Sequence, residues 1–237
     1  MLETRFYHSL RLDIVRAKDT DKICYVLLPE GLEADGTKWI ERASDKFGTS
    51  IVIMSRMDWN DQLTPWEAAG VMKKEKPFGG HASRFLRTLG DDYFKQLESD
   101  MKIKNAERTL VGVSLSGLFG LWAACRCDLF SSIASISGSL WYDGFVDWMK
   151  GSEVNPAVQH IFISIGSREG GAKDRRMSTV IADTKEIAEN LQSRGIRVTY
   201  ITEAGVSHFS PIIPRLDKAL EALSVPAEQP SDGNVSE

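Results

Sequence analysis

The run Gly112-Val113-Ser114-Leu115-Ser116-Gly117 is where this chain's capacity for chemistry is most concentrated. Thr109-Leu110-Val111 before it reads as a buried strand, and Leu118 to Ala124 after it as a helix with little polar surface. A serine at such a junction sits on a sharp turn that pushes its hydroxyl above the sheet edge, where it can act as a nucleophile. The turn tolerates only small residues two positions either side of the serine. Gly112 and Ser116 meet that requirement around Ser114, whereas Leu118 denies it to Ser116.

A serine hydroxyl is a poor nucleophile until a base takes its proton, and near neutral pH that base is usually histidine. The chain has four histidines. His8 lies in an alternating edge-strand pattern and His160 opens a strand, so both read as structural. His81 follows Gly79-Gly80 at a helix start, where capping or loop contact accounts for it. His208, within Ala204-Gly205-Val206-Ser207-His208-Phe209, falls between the last strand and the last helix. That is the carboxyl end of a sheet strand, where α/β sites form, and it marks His208 as the expected base. The imidazole needs a carboxylate to fix its tautomer, and after an elbow serine the acid precedes the histidine in chain order. Glu169, just past the strand His160–Ile165 and beside Gly170-Gly171, is favoured. Asp174 sits in a charge cluster with Lys173, Arg175 and Arg176, and it and Asp143 stay open as alternatives. The oxyanion would be held by backbone N–H groups. Leu115 follows the nucleophile, and Leu32 ends the Glu30-Gly31-Leu32 turn after the strand Ile23–Leu28.

The elements that must position these residues alternate along the chain. Phe6 to Ala17 alternates as an antiparallel edge strand, while Ser50 to Met54 is an all-apolar run of the kind buried on both faces. Thr37 to Phe47 is helical, with Trp39, Ile40 and Ala43 on one face. Ser83 to Leu89 and Asp91 to Met101 read as two helices after a long loop, Ser55 to Gly80, of a length that is uncommon without a function. Ser132–Ile136 and Arg197–Ile201 read as further strands. Between the latter and His160–Ile165, apolar residues from Met177 to Leu191 recur at helical spacing. Pro211 to Leu223 closes the series. Strand–helix units without a linker predict one α/β domain over residues 1–225 around a mostly parallel sheet. The composition of residues 226–237 predicts a disordered tail.

Composition sets further bounds. At 237 residues and 42% apolar, the chain can bury a large core. A net charge of −4 gives no basic footprint for nucleic acid or an acidic membrane surface. No apolar run approaches the roughly 20 residues that span a bilayer, and Met1 to Lys18 lacks the apolar core of a signal peptide. With Cys24, Cys125 and Cys127 forming no disulfide framework, the expectation is a cytoplasmic protein with free thiols. Cys125 and Cys127 lack a second ligand pair, so no metal is expected there.

With those residues in view, the chain resembles the esterase family of α/β-hydrolases that includes tributyrin and feruloyl esterases, esterase D and siderophore trilactone esterases. The likeness covers most of residues 20–223. Gly31-Leu32 with Trp39 and Ile40-Glu41-Arg42 is similar to the family's H-G-L segment and following helix, although Glu30 replaces the histidine. Leu63-Thr64-Pro65-Trp66, then Phe78-Gly79-Gly80-His81-Ala82 and Phe85-Leu86, is similar to its T-P…G-G-x-A-x-x-F-L stretch. Gly112 to Phe119 resembles G-H-S-x-G-G-L-F, with Val113 and Ser116 departing from it. Ser137-Gly138-Ser139-Leu140-Trp141 resembles S-P-S-L-W, a segment implied to line the pocket. Glu169 and Ser207-His208 stand where the family carries its acid and histidine. The resemblance implies an α/β-hydrolase fold without a large lid and hydrolysis of a small-molecule ester through Ser114, Glu169 and His208, without cofactor. Trp66 and Trp141, with Trp59 and Tyr142 nearby, would shape the pocket. Acyl transfer on the same scaffold, or a non-catalytic binding protein with this fold, are the alternatives; retention of serine, acid and histidine in order speaks against the latter.

Overall fold

The apolar runs of this chain have no polar face to turn toward water, and they occupy the middle of a sheet covered on both sides. The computed structural model describes residues 1–32, 34–71 and 76–225. The chain begins with β1 (Leu2–Tyr7) and β2 (Leu10–Val15), followed by β3 (Lys22–Leu27), α1 (Ala34–Phe47) and β4 (Ser50–Ser55). A short helix α2 (Trp59–Gln62) and the two-residue strands β5 (Glu67–Ala68) and β6 (Phe78–Gly79) come next. Then follow α3 (Ala82–Thr88), α4 (Phe94–Asp100), β7 (Glu107–Val113), α5 (Leu115–Ala124), β8 (Ser132–Ile136) and α6 (Phe145–Gly151). The chain continues through β9 (His160–Gly166), α7 (Val180–Ser193), β10 (Val198–Glu203) and α8 (Ile213–Ser224).

The main sheet has eight strands in the order β1-β2-β4-β3-β7-β8-β9-β10. Pairing is parallel from β4 through β10 and antiparallel where β1 and β2 extend one edge. The expected single strand Phe6–Ala17 is instead a hairpin. His8, with φ of 52°, turns the chain back so that Leu2 faces Val15. Every β4 side chain is buried. On one face α1 and α8 pack through Trp39, Ile40, Leu216 and Leu220, and the Trp39 indole donates to Asp217 at 2.8 Å. The other face buries α3, α4, α5 and α6, whose Phe85, Phe94, Phe119 and Phe145 join one cluster with Tyr25 and Ile163. All ten residues of α5 are buried. Each fully buried Leu, Ile or Phe on these faces contributes about 1.5–3 kcal/mol.

The two helices expected at 83–89 and 91–101 are joined without a break by one wider turn, Leu89–Tyr93. Gly90 there lies against Leu129, whose Cδ1 a Cβ would meet at 2.9 Å. The segment 55–80, expected as a loop, holds α2 and the β5–β6 ribbon. The expected tail at 226–237 lies outside the described residues. The helix of the β8–β9 connection is α6. None of these helices is long and apolar enough to cross a membrane. This is the α/β-hydrolase fold.

Candidate active site

Strand β7 runs into α5 through Ser114, whose φ of 59° and ψ of −124° put it in a conformation that L-residues avoid. The turn exists because the neighbours are small. A Cβ on Gly112 would lie 2.0 Å from the Ser116 carbonyl oxygen. Ser116, where the family pattern has glycine, is fully buried, and its hydroxyl accepts from Val113 N–H at 2.7 Å and reaches the Leu27 carbonyl at 2.8 Å. It braces the elbow. Ser114 Oγ stands 3.2 Å from Ser139 Oγ, and Ser139 N–H donates to the Ser114 carbonyl at 3.0 Å. The serine hydroxyl is bonded to Ser139 and not to the imidazole; His208 lines the same cavity as Ser114. Such bonds are commonly long without substrate and tighten when it binds.

The histidine and the acid arrive on two stitched loops. Ser167 N–H donates to the Glu203 carbonyl, Arg168 N–H to Val206, and Gly205 N–H to Ser167 Oγ, at 2.9, 3.0 and 2.9 Å. Gly166 permits the approach, since a Cβ there would sit 2.4 Å from the Val206 oxygen. These bonds bring Glu169 Oε2 to 3.0 Å from His208 Nδ1. The Glu169 side chain is 3% exposed and that of His208 32%, so the imidazole faces the cavity and the carboxylate lies behind it. Glu169 Oε1 accepts from Gly166 N–H at 2.8 Å and from the Ser137 hydroxyl. Burial pushes the carboxyl up, but the bonds from His208, Ser137 and Gly166 outweigh it and hold Glu169 below the usual glutamate value.

The other acids are occupied elsewhere. Asp174 accepts from the N–H groups of Arg176 and Met177 at 2.9 and 3.1 Å, ordering its own turn. Asp143 pairs with the Arg176 guanidinium at 2.9 Å. The remaining histidines are also placed. His81 Nδ1 meets Asp61 Oδ1 at 2.8 Å on the surface, and His160 Nε2 meets Thr199 at 2.9 Å. Burial pushes the Cys24 thiol up to about 12 and the Cys125 thiol up to about 11, so neither is a ready thiolate.

Ser114 and His208 share a cavity of about 450 Å³ with Leu115, Trp59, Phe78 and Trp141. Leu32 lines an adjoining space of about 480 Å³ with Val113, His208 and Ile212. Trp66 is not brought into the serine's cavity. Its indole N–H donates to the Asp143 carbonyl at 2.9 Å and its ring packs on Tyr142 and Trp148. Trp59 takes the place expected for it. Phe209, 94% exposed, stands at the mouth edge-on to His208. Sequence reasoning missed this residue as well as Arg215, whose guanidinium bonds Ser137 behind the acid. The one signal for Arg215 is a basic residue at helical spacing with Leu216, Ala219 and Leu220 on a buried face. Among the described residues no group of three or more His, Cys, Asp or Glu could hold a metal ion.

The arrangement sets a serine hydroxyl in one cavity with an imidazole that a buried carboxylate orients, the groups that activation of a hydroxyl requires. The family described as "Putative esterase" matches residues 33–223. An uncharacterized protein of Bacillus subtilis strain 168, YbbA, is 28% identical over 170 residues, covering 69% of this chain and 68% of its own. Among solved structures, the IroE-like serine hydrolase of Shewanella oneidensis superposes with a TM-score of 0.77 at 17% identity, covering 94% of this chain and 80% of that one. The siderophore hydrolase EstA of Aspergillus nidulans superposes with a TM-score of 0.70 at 18% identity, covering 94% and 93%. The chain belongs to this esterase family of α/β-hydrolases.

Proposed function

We propose that the protein is a serine carboxylic-ester hydrolase acting on a small-molecule ester through an acyl-enzyme. His208 takes the proton of Ser114 as its oxygen attacks the ester carbonyl, and Glu169 stabilises the resulting imidazolium. The N–H groups of Leu115 and Leu32 are assigned to the oxyanion. The alcohol leaves with the proton from His208. Water, deprotonated by the same imidazole, then releases the acid and frees Ser114.

The observation that carries this reading is the 3.0 Å contact between Glu169 and His208 Nδ1 beside a serine held at an elbow with positive φ. It fixes the tautomer that leaves Nε2 free to accept a proton. The neighbours described as a serine hydrolase and a siderophore hydrolase support an ester substrate. The cavity of about 450 Å³, walled by Trp59, Phe78 and Trp141, suits a small ester with an apolar or aromatic part.

A fluorophosphonate probe tests the reading, because only an activated serine reacts with it. Wild-type protein is expected to label once and to hydrolyse a chromogenic ester. Ser114→Ala should fold, lose labelling, and lose about 10⁴-fold or more in kcat. A wild type that neither labels nor hydrolyses any of short-acyl, aromatic-acyl and thioester substrates overturns it.

A further inference from the structure

Arg215, in the first turn of α8, is 2% exposed, and the proposed chemistry does not call on it. A guanidinium so deep is unfavourable unless its charge is met. Its Nε donates to Glu203 Oε1 at 2.8 Å, and Lys218 holds the other oxygen of Glu203 at 2.7 Å. Its Nη2 donates to Ser137 Oγ and lies 3.7 Å from Glu169 Oε1. Its Nη1 is buried and has no hydrogen-bond partner among the described residues. The Ser137 hydroxyl, having accepted from Arg215, spends its own proton on Glu169. Ser137 is held for this at φ of 46°, with its N–H on the Ser164 carbonyl at 2.8 Å.

We propose that Ser137 and Arg215 are positioning residues: they hold Glu169 as an ionised carboxylate aimed at His208 and set the pH at which the Glu169–His208 pair gives up its proton. For its effect on turnover this rests on the esterase reading; the relay itself does not. A cation and a hydroxyl donor on Oε1 draw charge from the carboxylate, so the imidazolium opposite Oε2 is stabilised less and loses its proton at lower pH. The groups facing Glu169 are Gly166 N–H from its own loop, Ser137 from the end of β8, Arg215 from α8 and His208 from the loop after β10. Glu203 on β10 and Lys218 on α8 meet it through Arg215. His208 faces Glu169 and the Phe209 ring, and Arg168 lines the same cavity. Glu203 and Arg215 also flank the segment 204–212, so their ion pair clasps the ends of the loop that carries His208.

The test uses the full chain with ¹⁵N-labelled histidine, titrated by NMR, alongside the pH dependence of kcat. In Ser137→Ala the His208 titration and the acid limb of kcat should both move up by about one pH unit, as expected for loss of a hydrogen bond to a charged group. At a pH below the limb, kcat should fall about tenfold while KM changes little. Arg215→Lys, which keeps the cation, should move both by less. If Arg215→Lys does not fold, Ser137→Ala decides alone. A Ser137→Ala protein with titration and limb at the wild-type position overturns the proposal. A moved titration in a protein that hydrolyses no ester upholds the relay and sinks the esterase reading instead.

Discussion

At the scale of single residues, what separates Glu169 from Asp174 is who already holds each carboxylate. Asp174 is committed to two backbone N–H groups of its own turn, whereas Glu169 keeps one oxygen for His208. Glu169→Gln is therefore expected to lower kcat by about 10³–10⁴-fold with the fold retained, because the neutral amide neither fixes the tautomer nor stabilises the imidazolium. Asp174→Asn should leave kcat within about twofold, as for substitutions away from the reacting groups. Steady-state kinetics on the two variants check this directly. The sequence favours Glu169 on loop position alone; the pairing comes from the backbone of Gly166, where a Cβ would collide with Val206. Trp66 and Trp59 show the converse. Both lie in one aromatic stretch, and only packing of Trp66 on Tyr142 and Trp148 decides that Trp59 is the one facing the serine.

At the scale of elements, the site depends on two loop ends of adjacent parallel strands staying in register. β9 and β10 pair through Glu203 opposite Gly166, and the stitches beyond them involve Ser167, Arg168 and Gly205. Gly166→Ala should push the two loops apart, since the new methyl would lie 2.4 Å from a carbonyl oxygen that cannot yield without moving His208. The expected outcome is a destabilisation of about 1–3 kcal/mol with kcat reduced more than KM, read by thermal melting and kinetics. Strand β4 is legible in the sequence because its continuous apolar run, Ile51 to Met54, is buried on both faces. The helix α6 is not, since only Phe145 and Met149 of its seven residues are buried and two positions make no periodic pattern.

For the molecule as a whole, the buried charges tie stability to pH. Glu169 and Glu203 are both held below the usual glutamate value of 4.5. In each case burial opposes ionisation, and hydrogen bonds from His208 and Ser137, or from Lys218 and Arg215, outweigh it. A carboxyl depressed in the folded state gives stability that is fully present above its unfolded value and is lost as pH falls through the folded one. Urea unfolding should therefore give a stability that holds above about pH 5 and declines in more acid solution. Glu203→Gln should lower stability at neutral pH and flatten the acid decline. An acid decline as steep in that variant as in the wild type would show that Glu203 takes no part in it.

The sequence by itself determined the strand–elbow–helix at Ser114 and the parallel sheet, because each is written in local residue size and apolar run length. Only the tertiary structure decided which carboxylate meets His208, which tryptophan faces the cavity, and that an arginine from the last helix stands behind the acid. Those choices depend on residues far apart in the chain. Ser137 and Arg215 are separated by 78 positions, and their contact exists only once β8, β9, β10 and α8 have packed. No local pattern of residue types encodes a contact made across that distance.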